Sequence, residues 1–153
     1  MPTPMTKPAP ESLDYHAWLV EQAAHLRARR FTKLDAEAIA EELEDMGRGE
    51  RRAVESHLKN LLLHLLKWAR QAKRRSGSWR DSIDAARDAL DDLLDDSPSL
   101  QPRLPEFIER QYPRARRSAA SQTGLAETAF PFTCPFTLDQ IFDHEFFPKT
   151  EKE

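Results

Sequence analysis

Apolar residues recur at steps of three and four along most of this chain, and no segment alternates at a step of two. That period predicts helix throughout. Trp18, Leu19, Ala23 and Leu26 form a first stripe. They predict a helix from about Leu13 to Arg29, with Ser12 placed as its N-cap. A second stripe starts after Asp35, itself a capping residue. It runs through Ile39, Leu43 and Met46, then Val54, Leu58, Leu61, Leu62, Leu65 and Ala69. The spacing holds across Gly47 and Gly49, so one long helix is expected to about Gln71, although each glycine lowers helix propensity by ~1 kcal/mol. Between Leu61 and Leu66 every residue but His64 is leucine. A helix apolar on all sides belongs in the middle of a bundle.

The next start signal is Ser78-Trp79-Arg80-Asp81, which reads as a capped helix start with a short acid in place of glutamate. Ile83, Leu90, Leu93 and Leu94 give its stripe, and it stops before Ser97-Pro98. Ser97 and Pro98 suit the cap and first position of a short segment. Pro102, Pro105 and Pro113 are expected to divide the next stretch into helical pieces near 98–104, 105–112 and 113–123, with Gly124 as the stop. Six of the eight phenylalanines then fall at 130, 132, 136, 142, 146 and 147. Phe-Pro and Cys-Pro steps hold this stretch extended. Thr137 with Gln140 predicts one capped helix over about 138–144. The expected fold is all-α: a multi-helix bundle around a long central second helix, closed by an aromatic C-terminal wrap. Residues 1–11, with four prolines, read as an extended or disordered arm, 12–148 as a single helical domain, and 149–153 as a polar tail.

Several strings along the chain also carry a resemblance. Tyr15-x-x-Trp18-Leu19, Ile39-Ala40-Glu41-Glu42-Leu43-Glu44-Asp45-Met46-Gly47 and Glu50-Arg51-Arg52-Ala53 are similar to a bacterial family known as domain of unknown function twenty-nine. So are Leu62-Leu63-His64-Leu65-Leu66-Lys67-Trp68, Ser78-Trp79-Arg80, Ser97-Pro98-Ser99-Leu100 and Cys134-Pro135-Phe136-Thr137-Leu138. The resemblance spans about Leu13 to Pro148. It implies a small helical bacterial protein and brings no activity, cofactor or catalytic residue with it.

Composition narrows the function classes. The 153 residues carry a net charge of −3, so the chain as a whole is not a nucleic-acid polycation. No apolar stretch approaches the ~20 residues of a membrane span, and MPTPMTKPAP lacks the apolar core of a secretory signal. The single Cys134 forms no internal disulfide, which suits a reducing cytosol. A cytoplasmic protein with no membrane partner is expected. Buried packing is the usual fate of such a cysteine. No nucleophile elbow, Gly-rich phosphate loop, H-E-x-x-H or C-x-x-C occurs. None of the five histidines has an acid three positions before it, as a di-iron bundle requires. His57 and His64 share a face with Leu61 and Trp68 and could join acids from another helix, but without a ligand motif a metal-dependent enzyme built on them is the least favoured reading. The paired acids Glu41, Glu42, Glu44 and Asp45 suit the positive end of a helix rather than acid–base chemistry. No cofactor and no catalytic residue are assigned.

Charge is laid out unevenly. From Lys67 to Arg80 there are six basic residues and no acid; from Asp81 to Asp96 there are seven aspartates and one arginine, Arg87. Acids at the C-terminal end of a helix oppose its dipole. If the third helix folds back on the second, Arg48, Arg51 and Arg52 would pair with Asp91, Asp92, Asp95 and Asp96. The basic block has no such partner in view. Lys67 and Arg70 suit a helix C-terminus, but Lys73, Arg74, Arg75, Ser78 and Arg80 gather where a new helix presents free N–H groups. This is the candidate anion-binding turn, flanked by Trp68 and Trp79. Two functions emerge as expectations: a non-catalytic protein-interaction or binding module with a protein partner, or binding of nucleic acid or a phosphorylated ligand through residues 67–80.

Overall fold

The computed structural model describes residues 14–150. The proline-rich arm over 1–11, the Ser12 cap and the last three residues of the polar tail lie outside the described residues. Five α-helices occur in order: α1 Tyr15–Arg27, α2 Ala36–Arg70, α3 Gly77–Asp96, α4 Leu104–Thr123 and α5 Leu138–Phe142. Short 3-10 turns sit between them, and no strand occurs among the described residues. The fold is all-α. The chain divides into two compact units at Gly49, inside α2.

In residues 14–49, α1 is capped by Asp14, whose side chain accepts from the Ala17 N–H at 3.0 Å. The helix ends two residues earlier than its period suggests because Arg29 takes a left-handed conformation, φ 57°. That turn lets the Arg30 N–H reach the His25 carbonyl at 2.9 Å, in the manner of a helix-terminating motif. The chain then returns antiparallel: the Gln22 side chain accepts from the Asp35 N–H at 2.9 Å, and the Tyr15 hydroxyl donates to Glu42. Asp35 caps α2 as expected, accepting from the Ala38 N–H at 3.3 Å. Trp18, Gln22 and Ala38 are buried here. Ala23 and Ile39 of the predicted stripes are half-buried, but four other positions depart from expectation: Leu19, Leu26, Leu43 and Met46 are exposed. Two short helical segments have too little facing surface to cover every apolar position.

In residues 50–150 the core gathers on the C-terminal half of α2. Val54, Leu58, Leu61, Leu62 and Leu65 are fully buried, with Leu63 and Leu66 nearly so. This is the all-round apolar segment that the leucine run predicts. Glu55 meets Arg110 at 2.7 Å and Lys67 meets Gln122 at 3.1 Å, both 55 residues apart in sequence. A constant offset means that α2 and α4 run parallel. Ile83, Ala86, Leu90 and Leu94 of α3 and Leu104, Phe107, Tyr112, Ala115 and Ala119 of α4 complete the cluster.

Three local expectations are corrected. The N-cap of α3 is Ser76 rather than Ser78; its hydroxyl accepts from the Trp79 N–H at 3.3 Å, and the helix starts at Gly77. Ser78 hydrogen-bonds the Ser76 hydroxyl instead. Pro105 does sit in the first turn of α4, but Pro113 lies within α4 without breaking it. A mid-helix proline costs about 3 kcal/mol. Here it lies on an exposed face with Glu109, where water reaches the carbonyl it leaves without a donor, while Tyr112 and Ala115 on the other face are buried. The expected network between Arg48, Arg51, Arg52 and the α3 aspartates is also replaced. Arg48 pairs with Asp45 and Arg51 lies 3.8 Å from Glu55, partners one turn away in the same helix. Asp91 takes His144 Nε2 at 2.7 Å, and Asp88 lies 3.8 Å from its Nδ1.

The C-terminal segment behaves residue by residue. Phe130 is buried, while Phe136, Phe142 and Phe147 pack half-buried against the core. Phe146 meets Phe136 edge to face at 6.0 Å. Phe132 is 85% exposed. The Thr137–Gln140 capping box is present in full, and Gly124 ends α4 at φ 75°.

Candidate interaction surfaces and the basic turn

The turn between α2 and α3 positions the predicted anion-binding residues unequally. Arg75 folds back onto the end of α2: its Nε and a terminal nitrogen donate to the Trp68 carbonyl at 3.0 and 2.8 Å, and its guanidinium lies 4.9 Å from the Trp68 ring. It also donates to the Thr150 hydroxyl at 2.9 Å. This is a cation satisfying the orphan carbonyls of a helix end. Arg80 lies over the Phe147 ring at 4.8 Å. Lys73 and Arg74 are exposed, and neither pairs with an acidic side chain among the described residues. Ser78 is exposed beside them in the first turn of α3. The five residues therefore share one turn, but Arg75 and Arg80 each have an intramolecular partner. Lys67, over the Trp79 ring at 4.6 Å, is held below its ordinary pKa by burial.

Residues 14–49 carry a second set of exposed side chains. Among the described residues, seven of the ten large apolar side chains that stand exposed lie there: Tyr15, Leu19, Val20 and Leu26 on α1, Phe31 in the turn after it, and Leu43 and Met46 on α2. Tyr15, Leu19 and Leu26 share a face of α1, and Leu43 and Met46 share one of α2, by the three-to-four residue repeat.

No group of three His, Cys, Asp or Glu residues able to hold an ion occurs among the described residues. His64 is half-buried, with Nδ1 2.8 Å from the Asn60 carbonyl. Desolvation pushes its pKa down; the Asn60 hydrogen bond opposes that shift and nearby Lys67 adds to it. Glu21 and His25 pair at 3.4 Å along α1. The Cys134 thiol packs against the core and donates to the Phe136 carbonyl at 3.5 Å; burial pushes its pKa up, away from nucleophilic reactivity.

Sequence patterning misses two charged residues. Arg87 is fully buried in the α3 stripe, bonded to the Ile141 and Gln140 carbonyls at 2.9 and 3.2 Å. Burial depresses its pKa, and Asp84 and Asp143 partly restore it. Glu55 is buried between Arg110, Gln111 and Arg51. The signal that could reveal Arg87 is its position: it lies four after Ile83 and three before Leu90, on the apolar face.

The profile of the family described as Domain of unknown function DUF29 matches residues 12–147. The chain belongs to this family. No curated protein and no solved structure matches it. The match spans both compact units, the helical segments over 14–49 and the bundle over 50–147. No helix among the described residues is long and apolar enough to cross a membrane.

Proposed function

We propose that this DUF29 protein is a non-catalytic, bacterial, cytoplasmic protein-interaction module, a single domain over 12–148 that recognises a partner protein through residues 14–49. The observation that carries this reading is the concentration of exposed apolar side chains there, seven of the ten among the described residues in fewer than forty positions. Monomeric surfaces rarely group apolar side chains in this way without a binding role. Leu43→Glu with Met46→Glu tests it. Both side chains are more than 60% exposed, so the variant keeps its helicity and unfolding midpoint. It should lose proteins that the parent captures from bacterial lysate, whether or not nuclease is present. Capture unchanged by the double substitution overturns the reading.

A second reading is supported by Lys73 and Arg74, exposed cations without acidic partners beside the first turn of α3, where N–H groups lack intrahelical acceptors. In this reading residues 67–80 hold nucleic acid or a phosphorylated ligand. Oligonucleotide binding that falls steeply with salt, and that Lys73→Ala with Arg74→Ala abolishes, supports it. Binding insensitive to that change removes it.

A further inference from the structure

A groove of about 760 Å³ runs along α4, and its residues lie wholly within 105–138. Pro105, Ile108, Tyr112 and Arg116 line it at steps of three and four, so one face of the helix makes its floor. From Pro105 to Arg117 that floor is about 18 Å long, at 1.5 Å per residue. The facing wall includes Phe132, Cys134 and Leu138. The volume is that of a small-molecule site, and the lining sets apolar side chains beside the charged Glu109, Arg116, Arg117 and Glu127.

The two ends of the floor differ. Pro105 and Ile108 make one end apolar; Arg116 and Arg117 make the other cationic. Arg116 is held in place: its Nε donates to the Phe130 carbonyl at 3.2 Å, and one terminal nitrogen lies 3.8 Å from Glu127. Its guanidinium stands 5.7 Å from the Phe132 ring. Arg116 thus answers Glu127, the acid of that end, and leaves Arg117 as an exposed cation with no ion-pair partner among the described residues. Glu109 lines the groove nearer the apolar end, where it repels an anionic group and so fixes which way an anionic ligand lies. Phe132, 85% exposed, is apolar area that a bound ligand would take out of water.

We propose that this groove binds an amphipathic carboxylate, its apolar body along Ile108 and Phe132 and its head on Arg117, beside the Arg116–Glu127 pair. The groove shares no residue with 14–49 or with the basic turn, so the site stands or falls independently of the interaction reading.

The chain's single cysteine reports on the site, because Cys134 lies in the groove wall. Alkylation of Cys134 by iodoacetamide is measured in the full chain with and without dodecanoate below its micelle concentration, with dodecanol as the uncharged comparator. Dodecanoate should slow alkylation several-fold, and dodecanol much less. Arg117→Gln should weaken dodecanoate about tenfold, the effect of one charge-assisted hydrogen bond, and Phe132→Ala should also weaken it. Both residues are exposed, so the unfolding midpoints stay unchanged. Lys73→Ala with Arg74→Ala should leave protection intact. Equal protection by dodecanol, protection unaffected by Arg117→Gln, or association only with phosphatidylglycerol vesicles overturns the proposal. Faster alkylation, the sign of dodecanoate unfolding the chain, overturns it as well.

Discussion

Arg87 on α3 holds Ile141 on α5 through a 2.9 Å hydrogen bond from its Nε to the main-chain carbonyl. A terminal nitrogen reaches the Gln140 carbonyl, and the Phe147 ring lies 5.5 Å away. One arginine therefore caps the C-terminal end of a five-residue helix that is too short to be stable alone. Arg87→Ala would leave the Ile141 carbonyl without a donor, the Gln140 carbonyl with only the 3.4 Å bond from the Asp143 N–H, and a cavity beneath Phe147. The expected loss is about 3 kcal/mol, read as a lower urea midpoint. Arg87→Lys should recover less than half of it, because an ammonium lacks the planar fork that reaches both carbonyls.

Leu62 and Leu65 are fully buried in the central part of the core. Leu62→Ala or Leu65→Ala should each cost about 2–5 kcal/mol by loss of transfer energy and creation of a cavity. Leu43→Ala, at an exposed position of the same helix, should change stability by less than about 0.5 kcal/mol. Urea unfolding of the three variants separates buried from exposed leucines on α2.

Gly47 and Gly49 lie inside α2, and a Cβ at either position would meet nothing within 4 Å. With ordinary helical backbone and open space, alanine gains helix propensity without a clash. Gly47→Ala and Gly49→Ala should each raise stability by about 0.5–1 kcal/mol, measured as an upward shift in Tm.

Burial places the His64 pKa below its ordinary value of about 6.5. The unfolded chain then takes up a proton first as pH falls through that value, so protonation favours unfolding. Stability should be full above pH about 6.5, decline below it, and stop declining once the folded pKa is passed. His64→Gln should flatten that part of the curve, so that its urea midpoint falls less than the parent's between pH about 7.5 and about 5.

Local signals determined much of this protein from the sequence alone. The bounds of α2, its Asp35 cap, the Thr137–Gln140 capping box and the Gly124 stop each depend on residues within about four positions of one another. Propensity, capping and period act over that range. The leucine run over 61–66 likewise announces the buried centre, because a helix covered on one side only would leave some of those side chains in water whichever way it turned. The same period misplaces Leu43 and Met46: a stripe says which residues share a face, not whether another element arrives to cover it. By its local chemistry Pro113 reads as a break, yet burial of Tyr112 and Ala115 around it holds α4 together. In the sequence Arg87 and Arg75 are charges in a run, and their roles as caps on distant or returning carbonyls depend on where α5 and the end of α2 come to lie. The α4 groove, too, combines a legible helical stripe with a wall from residues 127–138 that only folding brings opposite. Contacts such as Arg87 with Ile141, 54 residues apart, are decided by tertiary packing, since burial of the whole core sets which segments meet and no local preference encodes that meeting.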